Sequence, residues 1–267
     1  MAVMPAPVPS SRPFTAGERV LVVDAKDRRY LVTLREGGEF HTHAGVTPHA
    51  EIIGKGEGLT VRSATGARYL VVRPTLSDFV LAMPRGAQVI YPKDIGPLLV
   101  LADVFPGARV LEAGVGSGAL SIALLRAGAD LVGYEVRPDF AAKARANVAS
   151  FLGEGTPYRV EERDVYADID EVNLDRVVLD LPEPWRVVKH AAAAAMRPGA
   201  ILAAYLPTIG QVAQLRESLP SAGFGLARTI EVLERSWHVE GQSVRPDHRM
   251  VAHTGFLTAA RLLAPEP

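Results

Sequence analysis

Four acids, Glu112, Glu135, Asp164 and Asp180, and three glycines, Gly114, Gly116 and Gly118, are the residues of this chain whose types and spacing suit chemistry. The glycines alternate in Glu112-Ala-Gly-Val-Gly-Ser-Gly118, directly after the apolar pair Val110-Leu111. Such a turn carries no Cβ where a ligand must approach the backbone, and it opens a helix whose free N–H groups favour electronegative atoms. The segment therefore reads as a cradle for something nucleotide-like. The spacing Gly114-x-Gly116-x-x-Ala119 also satisfies a relaxed dinucleotide fingerprint, so the glycines alone leave the cofactor open.

The elements that must position these residues alternate from Arg109 onward. Strands are predicted at 109–113, 131–136, 158–162, 175–181 and 200–206, with helices at about 118–128, 138–152, 185–196 and 208–222. Alternation of this kind builds a parallel sheet covered on both faces. A preceding helix is expected over 95–105, stopped by Pro106-Gly107, and two long strands, 224–239 and 251–263, are expected to finish the sheet with an antiparallel hairpin. In a doubly wound sheet ligands bind at the carboxyl ends of the strands, and each of the first four strands ends at or leads into one of the acids. Glu135 falls 17 residues after Gly118, near the spacing at which a carboxylate takes ribose hydroxyls.

Upstream, residues 14–83 carry short alternating runs between glycine turns (Arg19–Val23, Tyr30–Leu34, Glu39–His41, Leu59–Arg62, Tyr69–Arg73), which predicts a small β-rich domain. Residues 1–13, rich in proline, read as a disordered tail, and 84–267 as a second domain. His41 and His43 lie two apart, a spacing that suits a metal pair on one strand face. With no third ligand nearby they read as turn hydrogen bonding, and no metal is expected.

The 267 residues include no cysteine, which excludes disulfides and thiolate chemistry, and a formal net charge of −1 excludes a global basic field. A polyanion partner must therefore meet a local patch. No apolar run reaches membrane-spanning length and the N-terminus carries no signal-like pattern, so no membrane partner and a cytoplasmic location are expected.

With the acids in place, the chain resembles the class I S-adenosylmethionine-dependent methyltransferases, whose first motif, acid-x-Gly-x-Gly-x-Gly, is matched by Glu112, Gly114, Gly116 and Gly118. The resemblance implies a Rossmann-like, doubly wound, mostly parallel α/β sheet, here behind a small N-terminal all-β domain. It implies that the turn, including Ser117, Ala119 and Leu120, holds S-adenosyl-L-methionine, with S-adenosyl-L-homocysteine as product. Glu135 would bind the ribose hydroxyls, Asp164 would meet the adenine amino group beside the Val165 backbone, and Asp180 would border the methyl group.

Four stretches narrow the likeness: Glu39–Gly45, Gln88–Asp94, Leu179–Trp185 and Arg245–Phe256 are similar to those of the bacterial and archaeal tRNA adenine-58 N1-methyltransferases. That family implies methyl transfer to N1 of an adenosine in the tRNA T-loop and a homotetramer. Asp180 would then accept a hydrogen bond from the N6 amino group, with Tyr205 as a second catalytic candidate. Ala82 departs from the family at a position that carries histidine in some members.

Trp185 and Tyr205 fit both base stacking and core packing. Arg235, Trp237, Arg245, His248, Arg249 and His253 gather basic and aromatic character in the tail, as a tRNA-facing patch or as hairpin surface and subunit interface; Arg245 and His253 are the substrate-binding candidates. Other readings are methylation of a protein or small molecule, a non-catalytic tRNA-binding partner subunit, and a nicotinamide dehydrogenase. The intact glycine turn and Asp180 speak against the partner subunit.

Overall fold

The computed structural model describes residues 12–86 and 88–264, with the side chains of 193 and 194 excepted, and the chain divides between Met83 and Pro84 into two units. The expected tail, apart from Arg12 and Pro13, lies outside the described residues.

The first unit contains β1 (Arg19–Asp24), β2 (Arg29–Thr33), β3 (Glu39–Thr42), β4 (Gly45–Pro48), β5 (Leu59–Arg62), β6 (Arg68–Val72) and α1 (Leu76–Ala82). Its antiparallel sheet runs β2-β1-β6-β5, and β3 and β4 form a separate hairpin. Alternation does the work here: Val20, Val22, Tyr69 and Val71 point to one core with Phe40, whose ring stands edge-on between Tyr30 and Tyr69 at 5.3 and 5.6 Å. The strand β4 and the helix α1 are additions to the predicted elements. A capping box between Thr75 and Asp78 starts α1, a short-range signal that the strand-like surroundings concealed.

In the second unit α2 (Pro92–Leu101) precedes β7 (Arg109–Ala113), α3 (Ala119–Arg126), β8 (Asp130–Glu135), α4 (Pro138–Leu152), β9 (Arg159–Glu162) and β10 (Leu174–Leu179). Then come α5 (Val188–His190), β11 (Met196–Leu206), α6 (Ile209–Ser218), β12 (Phe224–Glu231), β13 (Trp237–Glu240), β14 (Ser243–Pro246) and β15 (Phe256–Leu262). The sheet order is β12-β15-β11-β10-β7-β8-β9, parallel from β11 to β9, with β15 antiparallel to both of its neighbours. This is the doubly wound, mostly parallel α/β class. Strand order reverses between β7 and β10, the place where such sheets open a crevice at their carboxyl ends.

Four predicted elements differ. The helix expected over 185–196 is a 3-10 turn (Pro184–Arg186), then the single turn α5, then a π turn (Ala191–Ala195), because prolines 182 and 184 fix the entry and β11 begins at Met196. The helix expected over 95–105 runs Pro92–Leu101 instead: Pro92 sits at its first position, where a missing N–H costs nothing. The long tail strands are shorter. β12 stops at Glu231, and the residues between it and β15 form the β13–β14 hairpin, turned at Gly241 with φ +55°.

Candidate active site

The crevice is built by register. Leu179 pairs with Ala113 and also with Ala204, so Asp180 and Gly114 leave β10 and β7 at the level of Tyr205, the penultimate residue of β11. The Asp180 amide donates to the Ala113 carbonyl at 3.0 Å, and this folds the Asp180 backbone over Gly114. A Cβ on Gly114 would overlap the Asp180 carbonyl oxygen, and φ there is +82°. Gly118, at φ +83°, caps α3 and lies against Ala144 of α4, where an added Cβ would stand 3.1 Å from the Ala144 Cα. Gly116, at φ +56°, faces open space. Two of the glycines are thus demanded by packing as well as by conformation, whereas Gly116 keeps a face of the turn clear.

Glu135, at the end of β8, is buried and ties the turn down: its Oε2 accepts from the Gly116 amide at 2.9 Å and its Oε1 from the Arg137 amide at 3.0 Å. Each carboxylate oxygen retains a second lone pair for a ligand hydroxyl. Glu112 is 1 % exposed. Its Oε2 accepts from the Ser121 hydroxyl at 2.6 Å, which in turn accepts from the Tyr158 hydroxyl at 2.7 Å. Burial, reinforced by the charges of Asp180 and Glu135, pushes the Glu112 carboxyl up to about 8, and burial also raises the Tyr158 phenol well above its usual range.

Asp180 is half-buried and desolvation raises its carboxyl to about 7. Tyr205 is 8 % exposed, donates its hydroxyl proton to the Thr254 carbonyl at 2.6 Å, and is pushed up to about 12 by burial and by the nearby charges of Asp94 and Asp180. Three carboxyl groups therefore share the cleft, and among the described residues no basic side chain is bonded to any of them.

The donor set fits a cationic, hydroxyl-bearing cofactor such as S-adenosylmethionine. Two buried oxygens beside the turn, Glu112 Oε1 and Ser117 Oγ, hydrogen-bond to no group among the described residues, and a buried orphan of this kind costs about 1–3 kcal/mol unless something satisfies it. Ala119 and Leu120, buried at the start of α3, complete the wall. Asp164 is exposed just beyond β9, with Oδ1 held by the Tyr166 amide at 2.9 Å, and its neighbour Val165 is buried in the main core.

The substrate candidates separate. Trp185 is half-buried in the 3-10 turn that follows Asp180. His253 has both ring nitrogens occupied, Nδ1 by Glu231 at 2.7 Å and Nε2 by the Pro207 carbonyl at 2.9 Å, which raises its pKa and fixes the tail to the ends of β11 and β12. Arg245 lies exposed on β14, opposite His238, and Arg235, His248 and Arg249 are exposed beside the same hairpin. That hairpin also exposes Trp237, Val239 and Val244, so basic and apolar character coexist there. His41 contacts Glu39 at 3.1 Å, while His43, beyond the end of β3, contacts Arg28 at 3.2 Å. Among the described residues no three acids and histidines gather as a metal site. Among them, too, no helix is long and apolar enough to cross a membrane.

Sequence reasoning passed over several residues of this site. Ser121 and Tyr158 look like ordinary helix and strand positions, and nothing in the pattern joins them to Glu112. Asn147, one of two asparagines in the chain, is buried and donates to the carbonyls of Ser117 and Pro84 at 3.0 Å each; its rarity was the available signal. Lys93 and Asp94, adjacent at the end of the Gln88–Asp94 stretch, are a buried ion pair.

Known proteins share this sequence pattern and fold. Residues 68–249 match the family described as tRNA methyltransferase complex GCD14 subunit, and residues 13–61 match the TrmI-like N-terminal family. The chain is 41% identical over 246 residues to the tRNA (adenine(58)-N(1))-methyltransferase TrmI of Thermus thermophilus, covering 91% of this chain and 96% of that one. Two solved structures superpose closely, each 30% identical. One is described as a SAM-dependent O-methyltransferase from Thermotoga maritima (TM-score 0.90, covering 96% of this chain and 97% of that one). The other is the tRNA (m1A58) methyltransferase TrmI of Aquifex aeolicus (TM-score 0.83, covering 95% and 100%). A glycine turn set between Glu112, Glu135 and Asp180 on this sheet, with sequence identity running nearly end to end, means that the chain belongs to the tRNA (adenine-58-N1)-methyltransferase family of class I S-adenosylmethionine-dependent enzymes.

Proposed function

We propose that this protein transfers a methyl group from S-adenosylmethionine to N1 of adenosine 58 in the tRNA T-loop. The observation that carries the reading is Asp180: a half-buried carboxyl with a raised pKa, beside Tyr205 and across one backbone contact from the glycine turn. Bound S-adenosylmethionine supplies a methyl group already activated by its sulfonium charge. What remains for the protein is alignment and electrostatics.

Glu135 takes the ribose hydroxyls with its free lone pairs, and Asp164 takes the cofactor's adenine amino group with the oxygen not held by Tyr166. Asp180 accepts from the N6 amino group of the target adenine, which raises electron density at N1 and opposes the positive charge of the methylated ring. N1 lies on the Watson–Crick edge, so the nucleotide is extruded into the cleft, where Trp185 and Tyr205 flank it. Arg245 and its exposed basic neighbours meet tRNA phosphates. His253, with its nitrogens engaged, serves binding by holding the tail in place. The exposed apolar residues of the β13–β14 hairpin support assembly as a homotetramer, and a tRNA substrate supports a cytoplasmic location.

Incubation of unmodified tRNA with labelled S-adenosylmethionine, followed by nucleoside analysis, tests this. Label in 1-methyladenosine at position 58 is expected. The description of the Thermotoga structure favours a second reading, an oxygen acceptor, and label in a 2′-O-methylated nucleoside would establish it in place of the first.

A further inference from the structure

The second unit buries an ion pair that the cofactor cradle does not use. Lys93 and Asp94, in the first turn of α2, have side chains only 3% and 0% exposed and meet at 2.8 Å. Lys93 Nζ also donates to the Val232 carbonyl at 2.6 Å. Asp94 Oδ2 accepts from the Thr254 hydroxyl at 2.5 Å, and the carbonyl of that same Thr254 accepts the Tyr205 phenol proton at 2.6 Å. Gly255 then lies directly against the Tyr205 ring, where a Cβ would stand 2.5 Å from Cζ and 2.7 Å from the hydroxyl oxygen. The strap 253–255 is therefore pinned at three points: His253 to the ends of β11 and β12, Thr254 to α2, and Gly255 to the ring.

Such a pair is not needed for stability alone, since apolar residues of similar volume hold a helix start at least as well. What these polar atoms determine is where the strap lies. A phenol has one proton, and here it is committed to the Thr254 carbonyl. Toward anything in the cleft, the Tyr205 oxygen is left only as an acceptor.

We propose that Asp94 acts through Thr254 as a positioning residue of the substrate site, holding the Thr254–Gly255 strap against Tyr205 so that the phenol presents an acceptor, and not a donor, to the target base. An acceptor here suits a base that carries an exocyclic amino group and disfavours one that carries a carbonyl in its place. This rests on the methyl-transfer reading above, and the experiment separates the two.

The test compares the full-length parent with Thr254→Val, Thr254→Ser and Gly255→Ala. Cofactor affinity is measured by titration with S-adenosylmethionine, and kcat and KM on unmodified tRNA are measured by 1-methyladenosine formation. Thr254→Val removes the hydroxyl that Asp94 holds but keeps the backbone carbonyl; Gly255→Ala pushes on the ring without changing a polar group. Both are expected to lower kcat roughly ten- to a hundredfold with cofactor affinity unchanged, as befits a misplaced reacting partner. Thr254→Ser should restore most of the loss. A Thr254→Val enzyme that turns over at the parent's rate overturns the inference, as does one that loses cofactor affinity in step with turnover. A parent that forms no 1-methyladenosine instead overturns the underlying reading.

Discussion

The backbone carbonyl of Asp180 occupies the space into which any side chain at position 114 would project, so the cofactor turn and the proposed catalytic acid are locked together through main-chain atoms. Gly114→Ala should therefore strain both. A left-handed alanine costs about 1–2 kcal/mol before the overlap is counted, and relief requires Asp180 to move. A fall in melting temperature of roughly 5–10 °C, together with loss of the rise that S-adenosylmethionine gives the parent, is expected from thermal denaturation.

Glu112 should make the cofactor-free protein less stable as pH rises. Its folded pKa, about 8, lies above the ordinary glutamate value of 4.5, so between those limits the folded state holds a proton that the unfolded state has lost. Stability from this group is complete below about pH 4.5 and declines until about pH 8, by at most about 3–5 kcal/mol. Glu112→Gln removes the titration while keeping an acceptor for Ser121. Denaturant titrations across this window should show a shallower decline in the variant; identical slopes would refute the assignment.

Glu135→Gln replaces one of two oxygens that each accept a backbone N–H with an NH2 group, which sets donor against donor at Gly116 or Arg137. Charged hydrogen bonds of this sort are worth about 1.5–3 kcal/mol, so S-adenosylmethionine should bind roughly ten- to a hundredfold more weakly. Calorimetric titration measures this directly, and a dissociation constant equal to the parent's would remove Glu135 from the site.

Asp180→Asn should leave cofactor binding and the fold in place and reduce kcat by roughly two to three orders of magnitude. The pH profile adds an independent check. A carboxyl raised to about 7 is protonated below that value, so the parent's kcat should rise with pH and level off above about 7, whereas the residual activity of the variant should be flat there.

The glycine turn, the acids that end the strands and the alternation of the sheet were legible because each is a backbone demand written locally: Gly118 must be left-handed to start α3, and Glu135 must close β8. Residues 184–195 were not legible as a broken helix. Proline at 182 and 184 and a run of alanines satisfy helix and turn patterns equally, and the early start of β11 decided the outcome. Asp94 and Lys93 escaped notice because adjacent charges at a helix start ordinarily face water; only the distant Thr254 and Val232 show that they do not. The fixed state of His253 was hidden for the same reason, its partners Glu231 and Pro207 coming from two other segments.

One feature of the sheet bears on how the protein is made. β15, last in sequence of the strands among the described residues, lies between β11 and β12. During synthesis β12 therefore emerges with no neighbour to join, and β11 carries an unpaired edge until residues 256–262 have left the ribosome. The strap over Tyr205 precedes β15 and is drawn into place with it. Nascent chains arrested before Phe256 should accordingly be cut by protease within β12 while β7 to β10 resist. Uniform resistance would show that the edge closes without its final strand. The cleft beside Tyr205 is thus a late product of translation, assembled only once β15 has taken its place between β11 and β12.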